Sequence, residues 1–170
     1  MYKINIDTPF IDWNILYYGI ENDIIAPENA IDYAYVYLEN KHNEDTPNII
    51  DLLILENPSK NNVLDLLKLI KQNNTPDSFC KRILRYLVLD YARNNSSNTN
   101  ALLEFAEQVY ADFDYPEDMN SFIAYMPVTD DYNPSKHTEE ENLNRLIHNF
   151  DMFMTDEFLW IKENQKNENN

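Results

Sequence analysis

Three histidines, one cysteine and thirty carboxylates are the side chains with which this sequence could do chemistry. None of His42, His137 and His148 falls in a His-Glu-x-x-His pattern, and the one Glu-x-x-His, Glu39 to His42, has no second copy to complete a paired-ligand site. His148 lies near the apolar side of the last predicted helix and is expected to be partly buried. Asp112-Phe113-Asp114 can chelate a divalent ion where a fold adds further oxygens. It falls near a helix end, however, where acids cap the next element. Cys80 has Lys81 and Arg82 beside it, and cationic neighbours lower a thiol pKa. Its place next to Phe79 on an amphipathic helix predicts a core or boundary cysteine instead. Ser78 and Ser121 lack the flanking glycines of a nucleophile elbow. Paired carboxylates are too common here to discriminate anything. The expectation is a protein that is not an enzyme, with no cofactor and no metal site.

Composition narrows the class further. The chain has 170 residues, the length of one domain. With 44% hydrophobic and 13% aromatic residues it can fill a core, which separates it from disordered acidic chains. A single glycine excludes glycine-rich phosphate loops and dinucleotide fingerprints. A single cysteine excludes a disulfide framework. The net charge of −17 opposes binding to nucleic acid or anionic lipid. No apolar run reaches the length of a membrane span, and residues 1–7 lack a signal-peptide core, so the expected compartment is the cytoplasm.

The charge is unevenly placed. No Lys or Arg lies between Lys3 and Lys41, where seven acids occur, including Asp12, Glu21, Asp23, Glu28 and Asp32. None lies between Arg93 and Lys136, where there are eight. Residues 60–93 hold seven bases against three acids, a local net of +4. Lys81, Arg82 and Arg85 are expected to pair with acidic neighbours. In 104–132 the acids alternate with Phe105, Tyr110, Phe113, Tyr115, Phe122, Tyr125 and Tyr132. Tyrosine offers a large, stiff contact surface with a polar end, and carboxylates around it steer a basic partner. The partner-binding residues expected here are Asp112, Asp114, Tyr115, Glu117, Asp118, Asp130, Asp131 and Tyr132. An ordinary solvated acidic face with inward aromatics is the alternative.

The elements that must position these residues are helical. Periodicity predicts helices at 9–18, 27–41, 47–56, 60–73, 76–93, 99–113 and 139–165, with a break near Thr155 and a short turn over 116–123. Thr8-Pro9, Thr46-Pro47 and Thr75-Pro76 read as N-caps followed by a first-turn proline, with Ala26-Pro27 and Asn57-Pro58 weaker. Thr138 and Glu141 fit a capping box. Gly19 sits where a helix C′ residue is expected. Residues 49–55 are apolar nearly all round and predict a central buried helix. Phe79, Ile83, Leu84, Leu87 and Tyr91 form one core stripe; Leu143, Leu146, Ile147, Phe150, Phe153, Phe158 and Ile161 form another. Segments 94–98 and 126–137 read as loose, and 2–6 as a lone strand. The fold expected is all-α: a single domain over 1–163 of about seven antiparallel-packed helices, then a disordered polar tail at 164–170.

Trp13-Asn14-Ile15-Leu16-Tyr17-Tyr18-Gly19, then Ile24-Ile25-Ala26-Pro27 and Ala30-Ile31-Asp32-Tyr33-Ala34, resemble the small acidic immunity proteins of bacterial polymorphic and contact-dependent toxin systems. More narrowly, they resemble a bacterial domain family of unknown function associated with such loci. The resemblance implies an intracellular protein that binds and blocks a toxin, often a nuclease, and it brings no catalytic residues. The leading expectation is therefore an immunity protein that masks the active site of a basic toxin domain. A non-inhibitory acidic helical adaptor is the second reading and a metal-dependent hydrolase the third.

Overall fold

The computed structural model describes residues 1–40, 47–71 and 75–168. The architecture is all-α. In order, α1 is Trp13–Glu21, α2 Glu28–Asn40, α3 Pro47–Leu53, α4 Lys60–Ile70, α5 Asp77–Asn95, α6 Thr99–Asp112 and α7 Glu139–Glu168. Short 3-10 helices occupy Glu117–Phe122 and Pro134–Lys136. Among the described residues there is no strand. The lone strand expected at 2–6 is reduced to one parallel bridge, Tyr2 to Ile25, closed by the Tyr2 amide on the Ile24 carbonyl at 2.7 Å. Contacts divide the chain into two compact units, Met1–Leu87 and Val88–Asn170.

In the first unit α1 packs on α4 and α2, and α3 on α2 and α4. The start of α1 is set by Asp12, whose side chain accepts the Ile15 amide at 2.8 Å, not by Thr8. Its end is a Schellman motif. The Ile24 amide reaches back to the Gly19 carbonyl at 2.8 Å and the Asp23 amide to Ile20 at 3.2 Å. Asp23, at φ 56°, takes the left-handed position expected for Gly19. Gly19 lies inside the helix for a different reason. A Cβ there would stand 2.9 Å from Ile25 Cγ1 and 3.0 Å from Leu84 Cδ1. The glycine permits close approach, not a turn.

The expected central helix at 49–55 is not buried all round. Ile49 and Leu52 are buried, but Ile50 and Ile54 are exposed. The continuously buried stretch is in α5, where every residue from Ile83 to Leu89 is buried, including Arg85. The charged letters of α5 masked that role, because Arg and Lys stems cover apolar surface well. Other helix starts fall within a residue or two of expectation. Ser59 rather than Asn57 caps α4, and α5 begins at Asp77, one residue after Pro76. The proposed cap at Thr46 and the helix ends at Lys41 and at 72–73 lie outside the described residues.

In the second unit α7 packs on α6 and on the 3-10 helix Glu117–Phe122. Phe122 sits between Phe150 and Phe153, at 5.4 and 5.1 Å between ring centroids. The capping box forms as read. The Glu141 amide donates to Thr138 Oγ1 at 3.2 Å and the Thr138 amide to Glu141 Oε2 at 2.8 Å. There is no break near Thr155: α7 runs through it, and its hydroxyl donates to the Asp151 carbonyl one turn back, at 2.8 Å. Helical backbone continues to Glu168, past the end expected at 165. In the segment read as loose at 94–98, Asn94 and Asn95 close the end of α5 with side-chain bonds to the Asp90 and Tyr91 carbonyls. Asn98 then caps α6.

Candidate protein-binding surface

The surface begins at the end of α6. Tyr110 is buried on the last turn, and its hydroxyl donates to Asn120 Oδ1 at 2.8 Å. A second Schellman motif follows. The Tyr115 amide donates to the Tyr110 carbonyl at 2.8 Å and the Asp114 amide to Ala111 at 3.2 Å. Asp114 and Tyr115 both sit in the left-handed region, at φ 66° and 55°. That conformation is uncommon for a non-glycine residue and more so for a bulky one. The chain reverses there and Tyr115 folds back over Tyr110, edge to face, with centroids 5.3 Å apart. Tyr125 meets Tyr110 in a similar way at 6.3 Å. Tyr115 is 61% exposed and Tyr125 59%. The buried ring thus carries two exposed ones.

Carboxylates lie next to these tyrosines in the chain. Asp112, Asp114, Glu117 and Asp118 are exposed. Glu107 on α6 accepts the Ala124 amide at 3.3 Å and so holds the turn that presents Tyr125. Local desolvation, then the neighbouring Tyr110, Glu107 and Tyr115, raise the Tyr125 phenol above its ordinary range.

The segment 126–137, read as loose, is pinned along α7. Asn142 and Arg145, at i and i+3, bond it, and Asn149, at i+7, bonds the 3-10 helix before it. Asn149 donates to the Ser121 carbonyl at 2.7 Å and Asn142 to the Pro134 carbonyl at 3.1 Å. Arg145 bonds Asp130 Oδ2 at 2.8 Å, and its guanidinium lies 4.5 Å from the centroid of Tyr132. Tyr132 in turn donates to Asn142 Oδ1 at 2.8 Å and stacks flat on His137, 4.4 Å between centroids. The Arg145 bond, then the Tyr132 amide, hold the Asp130 carboxyl below its usual range. A cleft of about 400 Å³ lies between this strap and α7, with Ile123, Met126 and Leu146 among its apolar lining.

The eight residues expected to bind a partner therefore separate. Asp112, Asp114, Tyr115, Glu117 and Asp118 lie together around the end of α6. Asp131 is exposed on the strap. Asp130 and Tyr132 are struts of the strap, held by Arg145 and Asn142, and Tyr132 is only partly exposed. Tyr125 is the residue that sequence reasoning left out of this set. It stood among the alternating aromatics, but no spacing in the sequence marks it as exposed and Tyr110 as buried.

Cys80 is buried, as expected. His148 is exposed, not partly buried. His137 lies 3.6 Å from Glu141 on the strap. His42 is outside the described residues. Among those residues no group of three or more His, Cys, Asp or Glu side chains is arranged to hold a metal ion. A second cleft, of about 430 Å³, lies in the first unit, with Asn14, Tyr17, Glu21 and Lys71 in its wall. There Lys71 lies over the Tyr17 ring at 4.3 Å, and the Tyr17 hydroxyl donates to Glu21 at 2.7 Å. No described helix is long and apolar enough to cross a membrane.

Residues 2–158 match the model of a protein family described as an uncharacterized protein conserved in bacteria (DUF2247). No curated protein and no solved structure matches the chain.

Proposed function

The chain belongs to that bacterial family, and from this premise we propose that it is an immunity protein, acting in the cytoplasm, that neutralises a basic toxin domain by covering its active site. The observation that carries the reading is the platform at the end of α6: two exposed tyrosines on a buried third, set in a segment with eight acids and no Lys or Arg. A toxin that acts on nucleic acid needs a positive surface to hold phosphate. An acidic face competes for that surface, and its field steers the encounter. Rigid tyrosines then supply contact area that slows dissociation. Catalysis has no role in this reading.

The test is co-expression with the products of the flanking genes. The expected result is a stable complex with a basic, growth-inhibiting domain and recovery of growth in its presence. Growth that stays inhibited despite complex formation contradicts neutralisation and leaves an adaptor. Hydrolytic activity that disappears with a chelator points to an enzyme instead.

A further inference from the structure

We infer that Tyr115 and Tyr125, seated on Tyr110, form a receptor for an arginine side chain of the basic partner. The inference rests on the reading above and names the group that the platform grips.

Both rings are anchored without being covered. Tyr110 is 3% exposed and holds each of them at an angle, 84° for Tyr115 and 61° for Tyr125, so they stand up from it. The Tyr110 hydroxyl is tied to Asn120, which fixes the base of the platform. Backbone bonds fix both walls. Tyr115 is held by its amide on the Tyr110 carbonyl, and the Tyr125 turn is held by Glu107 through Ala124. Such rings lose little side-chain freedom when a partner docks.

The electrostatics select a cation. The faces of aromatic rings attract positive charge, and the Glu107 carboxylate beside Tyr125, within a chain of net charge −17, adds to that field. In sequence, no Lys or Arg lies between Arg93 and Lys136. Elsewhere its own cations do lie over rings: Lys71 over Tyr17, Arg145 over Tyr132 and Lys162 over Phe158. Arginine fits better than lysine, because its planar guanidinium stacks on rings while its N–H groups still reach carboxylates.

The experiment uses the full chain with tyrosine rings isotopically labelled for NMR. Oligoarginine and oligolysine peptides of equal length and charge are titrated in at low salt. The expected result is that oligoarginine shifts the Tyr115 and Tyr125 ring signals and binds about two- to five-fold tighter per ring engaged. Tyr115→Leu and Tyr125→Leu should each reduce that preference, weakening oligoarginine binding more than oligolysine binding. Two separate variants keep the test sound if one of them fails to fold. Equal binding of both peptides with unmoved tyrosine signals overturns the receptor and leaves the acidic docking surface standing. Binding of neither peptide overturns both.

Discussion

The Tyr115 amide donates to the Tyr110 carbonyl at 2.8 Å, and the two rings meet edge to face at 5.3 Å. One residue thus closes α6, reverses the chain and remains exposed. The cost is a left-handed backbone at both Asp114 and Tyr115. A chain with a single glycine, used elsewhere for close packing, has to end its helices with other residues.

That substitution of roles predicts two opposite mutational effects. Asp114→Gly relieves a left-handed L-residue and should raise stability by about 1 kcal/mol, seen as a higher denaturant midpoint with unchanged slope. Gly19→Ala should lower stability by about 1–3 kcal/mol, because the new methyl meets Ile25 and Leu84 in a closed space. A stabilising Gly19→Ala would show that α1 has room to shift.

The strap on α7 predicts a local rather than global loss. Tyr132→Ala removes the hydroxyl bond to Asn142 and the ring beneath Arg145 and His137. Amide exchange and proteolysis should then increase across 126–137 while the core amides of α7 keep their protection. Tyr115→Ala should leave the strap protected. The same response to both changes would contradict the separation of strut from platform.

Much of the helical framework was legible in the sequence, and its failures have physical causes. The Thr138/Glu141 box was readable because both partners are local. Asp12 and Asp23 were missed as caps because Thr8-Pro9 and Gly19 carried stronger textual signals for the same jobs. Burial was misjudged for α3 and underestimated for α5, since the surroundings of a short helix are set by distant chain. The acidic tyrosine segment was visible as a composition, but which rings face solvent is decided by Tyr110, Glu107 and α7. A polar pair at Asn142 and Arg145 on α7 was available as a signal that the strap is held.

Alkaline pH should destabilise the first unit. Burial, then the charges of Asp12 and Tyr37, push Tyr33 up to about 12, and its hydroxyl donates to the Ile11 carbonyl at 3.0 Å. The bond to Glu21, then burial, pushes Tyr17 to about 12 as well. A raised folded pKa gives stability that is complete below the unfolded value, about 10, and is lost as pH rises towards 12. Denaturant melts should show that decline, and Tyr33→Phe should flatten it. The same variant should lose about 1 kcal/mol at neutral pH with the hydroxyl bond. A parent whose stability is level across this range contradicts the assignment.

Salt should stabilise the protein. At −17 the folded chain repels itself, and screening weakens that repulsion. The melting temperature should therefore rise from low salt to about 0.15 M. A fall would show that pairs such as Lys60–Asp23 and Arg93–Asp151, both at 2.7 Å, outweigh the net charge.

The central claim is that the tyrosine platform holds a basic partner. Its most direct measurement is the dissociation rate of the captured toxin domain from a Tyr115→Ala, Tyr125→Ala variant, beside a thermal melt of the same protein. The account predicts a folded variant that releases the partner faster by roughly 30-fold or more, the size of a hot-spot loss near 2 kcal/mol. Association should slow little, because the steering acids remain. A folded double variant that dissociates at the parent rate would contradict it and move the interface to the acidic helices α1 and α2.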